Sequence, residues 1–219
     1  MIYPVLFVLS NVIFLAILIR YTLKGESDQR FVYKVIACLH YLGLAFWAVL
    51  STDLQAHEGW MIVGLVFAFM GDLALGLKHK AKWMMPVGLG FFLLTQWCYT
   101  VSFGLSTLSL SLFAGSLILV VYVSNRMKRN PTYDFKGLDL AVLVYAVSMM
   151  LMLSGALSLF LLNLQPIPFL KATGALLFVL SDVTLLQLYF HRPKKTRWVL
   201  VYLVLYHVAQ NILALSLFY

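Results

Sequence analysis

Long apolar stretches separated by short polar segments run through the whole chain. A helix needs about 20 apolar residues to cross a bilayer, and eight stretches are long enough. They cover residues 3–21, 31–50, 60–77, 84–103, 106–123, 138–161, 168–190 and 198–218. The first has no basic residue before Arg20, whereas a signal peptide opens with a basic segment, so we predict that it is a retained span. The pattern predicts an all-α polytopic membrane protein with eight transmembrane helices.

Basic residues test this map. Of the 16 Lys and Arg residues, all but Lys171 lie in or beside the odd-numbered loops. Because cytoplasmic loops collect Lys and Arg, we expect the odd loops to face the cytoplasm and both termini to face outward. The net charge of +8 therefore reflects membrane topology. We expect membrane lipids, and no nucleic acid, as partners.

Composition excludes several other classes of protein. Hydrophobic residues make up 63% of the chain and charged residues only 11%, far from the values of soluble domains. The two cysteines exclude a disulfide framework. No pair of histidines has the spacing of a metal site on one helix face, and no glycine-rich phosphate loop or serine-hydrolase elbow is present. We therefore expect no metal and no cofactor.

We predict one transmembrane domain over residues 1–219, within which residues 1–105 and 106–219 are candidates for an internal repeat. The segments around Asp72 and Asp182 share one plan. Each has an Asp within an apolar helix, then a basic loop, a Trp, and a helix with aromatic and amide groups. Two parallel halves related by an axis along the membrane normal would place both Asp side chains at similar depth, facing a shared centre.

Both aspartates are predicted to lie in the cytoplasmic half of the membrane. Asp72 precedes Lys78 by about 9 Å and Asp182 precedes Arg192 by about 15 Å at the helical rise per residue. Neither has a basic neighbour one helical turn away. Charge in the hydrocarbon region costs several kcal/mol, so the aspartates are interpreted either as a functional pair or as two hydrogen-bonded packing residues.

The last span carries a stripe of polar side chains. Tyr206 and Gln210 are four residues apart, as are His207 and Asn211, and this spacing places each pair on one helix face. The stripe is predicted to lie at mid-membrane. It can line a cavity or form hydrogen bonds between helices.

Further polar groups lie in other spans. Gln96 and Tyr99 share a face of the fourth span, as do Tyr145 and Ser148 in the sixth; for most such pairs the favoured interpretation is hydrogen bonding that holds the bundle. Lys34 opens the second span, where it can extend to the interface or bind a lipid phosphate. The candidate substrate-binding residues are Lys34, Tyr99, Tyr145, Ser181, Tyr206, His207 and Gln210.

Several of these segments are similar to those of a known family. GALLFVLSDVTLLQLYF, followed by a basic loop and LVLYHVAQNILALS, resembles the signature of the YhhN-like lysoplasmalogenase family of integral membrane proteins. MGDLALGLK resembles that family's first Asp-bearing segment, and residues 145–149 resemble its sixth span. Lys34 lies where the family has a basic residue.

The resemblance implies an enzyme that hydrolyses the vinyl ether bond of lysoplasmalogens, releasing a fatty aldehyde and glycerophospho-ethanolamine or -choline. It implies that Asp72 and Asp182 are the essential catalytic residues. The chain departs from the family in TQWCY, where a histidine is expected at or near Gln96, and Lys34 lacks the proline that often follows it.

Vinyl ether hydrolysis needs one carboxylic acid that protonates carbon and one carboxylate that stabilises the resulting cation or activates water. Two buried aspartates tend to share a proton, and two-carboxylate glycoside hydrolysis passes through a similar cation. The sequence leaves open which Asp is the acid. Lys34, Lys78 or Arg192 is expected to hold the phosphate of a lysolipid that enters from the inner leaflet.

Two other classes of function stay open from the sequence. One is a non-enzymatic proton-coupled transporter or lipid-binding protein that uses the Asp pair as a proton relay. The other is a metal-dependent lipid hydrolase built from the two Asp and two His residues. The location predicted for a bacterial host is the inner membrane.

Overall fold

Eight long helices account for nearly all of the computed structural model, which describes residues 2–77, 81, 83–192 and 196–218. Helix makes up 88% of the structure. The elements are α1 (Ile2–Lys24), α2 (Ser27–Ser51), α3 (Ala56–Leu77), α4 (Met84–Phe103), α5 (Thr107–Lys128), α6 (Asp139–Asn163), α7 (Pro166–Phe190), α8 (Thr196–Leu215) and a short 3₁₀ turn (Ser216–Phe218). Within the described ranges, eight helices are long and apolar enough to span a membrane, so the predicted fold class is confirmed.

The helices end where the sequence supplies turn and cap residues. Helix α1 is followed by Gly25 and α4 by Gly104, with φ angles of 77° and 76° that side chains other than glycine rarely adopt. Helix α5 begins with a capping box, in which the side chains of Ser106 and Ser109 each accept from the other residue's backbone N–H. The polar segments between the apolar stretches therefore form short, defined connections.

Helices α7 and α8 are the most enclosed. In each, 56% of the most apolar stretch of the helix is buried in the protein, compared with 17% in α1 and 11% in α5. Many large apolar side chains point outward, among them Ile118 on α5, which is 75% exposed. Such an apolar exterior is the surface expected against lipid.

Helix α3 packs on α4, and α7 packs on α8. Glycines on α3 permit the first contact: a Cβ at Gly71 would lie 2.9 Å from the Phe92 ring, and one at Gly64 would meet the Tyr99 ring. The predicted halves meet where α2 contacts α8 and where α4 contacts α6. The single domain and the internal repeat stay predictions.

One end of the bundle carries most of the described basic residues, and we call it the basic end; it includes Lys24, Arg126, Lys128, Arg129 and Arg192. Here the connection between α5 and α6 is bound to the end of α7. Tyr133 and His191 form an antiparallel bridge, and Arg192 Nη2 lies 3.0 Å from Asp134 Oδ2. Some basic residues of the odd-numbered loops lie outside the described residues, namely Lys78, Lys80, Lys82, Lys194 and Lys195. The cytoplasmic orientation of the basic end stays a prediction.

Candidate functional site

Asp72 lies in a buried ion pair. Its carboxyl group on α3 has Lys34 Nζ 2.6 Å from Oδ1, and the Cys38 thiol donates to Oδ2 over 3.1 Å. Lys34 and Cys38 stand one turn apart on α2, and all three residues are at most 6% exposed. The ion pair compensates the charge of an Asp72 carboxylate, and the thiol bonds to its second oxygen.

Aromatic side chains close this site. The Tyr206 hydroxyl on α8 lies 3.4 Å from that of Tyr41. It donates to the carbonyl of Ala68, one turn before Asp72 on α3, over 3.4 Å. The Lys34 amine lies 5.8 Å from the centre of the Tyr202 ring. Asp72 is thereby enclosed by α2, α3 and α8.

Asp182 has neutral hydrogen-bonding neighbours. The Tyr145 hydroxyl on α6 donates to its Oδ2 over 2.6 Å. The Gln96 amide on α4 faces both the Asp182 carboxyl and the Tyr145 hydroxyl. Among the described residues, no Lys or Arg forms an ion pair with Asp182. Asp182 is only 6% exposed, so its carboxyl is buried beside a phenol and an amide.

The partners of the two carboxyl groups come from corresponding helices but differ in charge. Each has a partner on the preceding helix, Lys34 for Asp72 and Tyr145 for Asp182. Each also has a neighbour on the last helix of the other predicted half, Tyr206 for Asp72 and Gln96 for Asp182. One carboxyl is therefore balanced by a cation, whereas the partners of the other among the described residues are neutral.

The aspartates keep separate hydrogen-bond partners. Asp72 lies five residues from the end of α3 and Asp182 eight residues from the end of α7, which is about 8 and 12 Å from the basic end. The structure therefore shows two buried carboxyl sites with separate partners, and the shared centre stays a prediction.

The remaining candidate residues are spread through the same core. The Tyr99 hydroxyl donates to Gln210 Oε1 over 2.6 Å, and the Ser181 hydroxyl lies 3.4 Å from the carbonyl oxygen of Tyr202. His207 is completely buried, and neither ring nitrogen forms a hydrogen bond within the described part of the chain. Their substrate-binding role stays a prediction.

Besides Tyr41 and Tyr202 of the aromatic enclosure, two residues beside the carboxyl groups, Gln96 and Cys38, were not among the predicted site residues. Gln96 was interpreted with the helix-packing groups, and Cys38 lies inside an apolar run. The available signal was spacing, since Cys38 is one turn after Lys34 and Gln96 shares a face with Tyr99. Spacing alone does not tell which helix such a face contacts.

A small apolar cavity of about 60 Å³ opens beside Asp182. Apart from the groups of Asp182, Tyr145 and Tyr189, its lining from α4, α6 and α7 is apolar. A second cavity of about 200 Å³ lies between α5, α6 and α7, with Lys128 and Asp139 in its lining. The two cavities share the lining residues Val142, Ala146, Met149, Val183 and Leu186. The two cavities therefore lie side by side and share one apolar wall.

No group of three or more His, Cys, Asp and Glu side chains in the described ranges is arranged to hold a metal ion. The fold and the site define a polytopic membrane protein with two carboxyl groups buried in the half of its helical core nearer the basic end. The model of the YhhN family matches residues 29–217, and the chain belongs to the YhhN family. Neither the curated proteins nor the solved structures contain a match.

Proposed function

We propose that this protein hydrolyses the vinyl ether bond of lysoplasmalogen to a fatty aldehyde and glycerophospho-ethanolamine or -choline. The observation that carries the proposal is the buried Asp182 carboxyl, which accepts a hydrogen bond from Tyr145 at the wall of an apolar cavity. Membership of the YhhN family is consistent with a hydrolase.

The reaction begins with protonation of carbon. An acid gives its proton to the alkenyl carbon that is not bonded to oxygen, and the positive charge spreads over the other alkenyl carbon and the ether oxygen. Water adds to that carbon and loses a proton, which forms a hemiacetal. The bond between the hemiacetal carbon and the glycerol oxygen then breaks. The hemiacetal hydroxyl becomes the carbonyl of the aldehyde, and its proton passes to the glycerol oxygen.

Asp182 is assigned as the acid and Asp72 as the carboxylate. A buried carboxyl that faces only neutral groups is more stable with its proton, because an isolated charge is costly in a low-dielectric core. Asp182 has such surroundings and lines the cavity. Asp72 has a buried cation at 2.6 Å, which stabilises its ionised form, so Asp72 is assigned as the carboxylate.

A single-chain lipid is proposed to enter sideways from the leaflet at the basic end. Its hydrocarbon chain would lie along the apolar cavity between α5, α6 and α7, which ends at Lys128. Lys34 is bound to Asp72 and Arg192 to Asp134, whereas Lys78 lies outside the described residues. Lys128, about half exposed with Asp139 3.9 Å away, is therefore the described cation best placed for the phosphate.

The test is a direct comparison of substrates. Purified protein in detergent or vesicles is incubated with lysoplasmalogen and, separately, with the ester lysolipid of the same headgroup. We expect aldehyde from the vinyl ether and no fatty acid from the ester. Proton-coupled uptake into vesicles without aldehyde would instead identify a transporter, and activity lost to chelators would identify a metal-dependent hydrolase. For a bacterial host, the location proposed is the inner membrane.

Ala146→Trp is expected to obstruct the proposed chain path, because Ala146 lines both cavities. KM for lysoplasmalogen should rise about 10-fold or more, where tenfold corresponds to about 1.4 kcal/mol of binding. Initial rates over a range of substrate concentrations in mixed micelles measure it. Ile118→Trp is the control and should leave KM unchanged, because Ile118 on α5 is 75% exposed and lines neither cavity. An unaltered KM in Ala146→Trp would contradict this path.

A further inference from the structure

Several buried polar atoms on α4, α6 and α8 have no hydrogen-bond partner of standard geometry among the described residues. Neither atom of the Gln96 amide forms a hydrogen bond of standard geometry to a described residue, although the amide faces Asp182 and Tyr145. The hydroxyl of Ser148, one turn after Tyr145 on α6, and Nε2 of Gln210 on α8 are likewise unpartnered within the described ranges. Gln96 and Gln210 are completely buried and Ser148 is 7% exposed.

Unpartnered polar groups in a dry core are costly, at about 1–3 kcal/mol each. Buried polar groups are therefore almost always bonded to protein or to ordered water. The atoms concerned come from three helices: Gln96 on α4, Ser148 on α6 and Gln210 on α8. Gln210 is tied to α4 through the Tyr99 hydroxyl, one turn from Gln96. These groups supply donors and acceptors of the kind that a buried water needs.

The chemistry at Asp182 needs such a water. Hydrolysis in an apolar membrane core consumes one water molecule per turnover, and the cavity beside Asp182 is otherwise lined mostly by hydrocarbon. Its volume of about 60 Å³ exceeds what one water requires. Asp182 and Tyr145, which the Gln96 amide faces, line this cavity, whereas Gln96 lies behind its wall. A positioned water would lie near the carbon that becomes the cation, since the acid that protonates its neighbour is Asp182.

We propose that Gln96 binds the hydrolytic water beside Asp182 and Tyr145, and is a positioning residue for the second step of the reaction. The inference rests on the proposed function. After Asp182 has given its proton to carbon, the water oxygen adds to the adjacent cationic carbon. The water's proton passes to the Asp182 carboxylate, which restores the acid, and Gln96 holds the water through its amide oxygen and nitrogen.

The test is Gln96→Met, which keeps the length of the side chain but removes both polar atoms. We expect kcat to fall about 100-fold, the size of effect that misplacement of a reacting group produces, while KM changes little. Rates are measured in H2O and in D2O. In the parent protein protonation of carbon limits the rate, so the solvent isotope effect on kcat is large and normal. In Gln96→Met the capture by water becomes limiting, and the isotope effect falls toward unity.

Ser102→Ala is the matched control. The Ser102 hydroxyl is also a buried, unpartnered group among the described residues of α4, but it lies two turns beyond Gln96, away from Asp182. Its removal should change neither kcat nor the isotope effect. If Gln96→Met does not fold, Gln96→Asn, which retracts the same amide, replaces it and should show the same changes to a smaller degree.

The outcomes separate the two proposals. A parent protein that releases no aldehyde contradicts the proposed function. An active parent protein whose Gln96→Met variant keeps both its kcat and its isotope effect contradicts only the water site. A lower kcat with an unchanged isotope effect also overturns it, because a packing defect at Gln96 would slow protonation rather than water capture.

Discussion

Asp182→Asn is expected to abolish aldehyde release, with kcat reduced about 10³-fold or more, since positioned proton transfer contributes about 10²–10⁴-fold. The amide of Asn can still accept from the Tyr145 hydroxyl, so the bundle should keep its fold. It has no acidic proton to give to the alkenyl carbon. Aldehyde release from lysoplasmalogen by purified protein in mixed micelles measures the effect, and thermal unfolding in detergent verifies the fold.

Asp53→Asn is the matched control for this variant, because Asp53 is an exposed residue of the connection between α2 and α3, far from the basic end. Its activity should equal that of the parent protein. Asp72→Asn should also be inactive, because it removes the carboxylate charge. If Asp182→Asn retained more than half of the parent activity, Asp182 would not be the acid and the mechanism would fail.

Lys34→Met is expected to lower the free energy of unfolding by about 3–5 kcal/mol, the usual cost of leaving a buried charge without its partner. Lys34 is only 6% exposed and lies 2.6 Å from Asp72. The Met side chain fills a similar volume but leaves the Asp72 charge uncompensated in a low-dielectric core. Reversible unfolding by denaturant in detergent micelles measures the loss.

A second substitution separates stability from catalysis. Lys34→Met combined with Asp72→Asn removes both charges, and it should recover most of the lost stability without recovering aldehyde release. Lys24→Met is the control, because its pair with Glu26 is about half exposed, at 3.9 Å, and such pairs contribute at most about 1 kcal/mol. A Lys34→Met protein with the same free energy of unfolding as the parent would show that Lys34 does not stabilise the fold through its pair with Asp72.

The sequence predicted the spans closely but not their full length. The second span was predicted over residues 31–50, whereas α2 covers Ser27–Ser51, and α5 extends from Thr107 to Lys128 beyond the predicted 106–123. Hydropathy detects the part of a helix in hydrocarbon. A helix continues into the headgroup region, where polar residues such as Asp28 and Arg126 are stable.

The sequence predicted which residues belong to the candidate site better than it predicted which of them contact each other. Asp72 and Asp182 stand out because charges are rare in apolar helices. Neither aspartate has a basic neighbour one turn away on its own helix, whereas the cation beside Asp72 is Lys34 of α2. Tyr145 is predicted as a substrate-binding residue and Gln96 as a helix-packing group, and the structure brings both to Asp182.

By itself, the sequence determined the eight spans, the family and the two acidic residues, because hydrophobicity and charge are properties of each segment alone. Only the tertiary structure decided that one carboxyl has a cation and the other a phenol and an amide. Which helix faces which depends on side-chain packing between apolar surfaces of nearly equal hydrophobicity, and no single segment carries that information. The difference between the two aspartates therefore comes from the neighbours that packing places beside them.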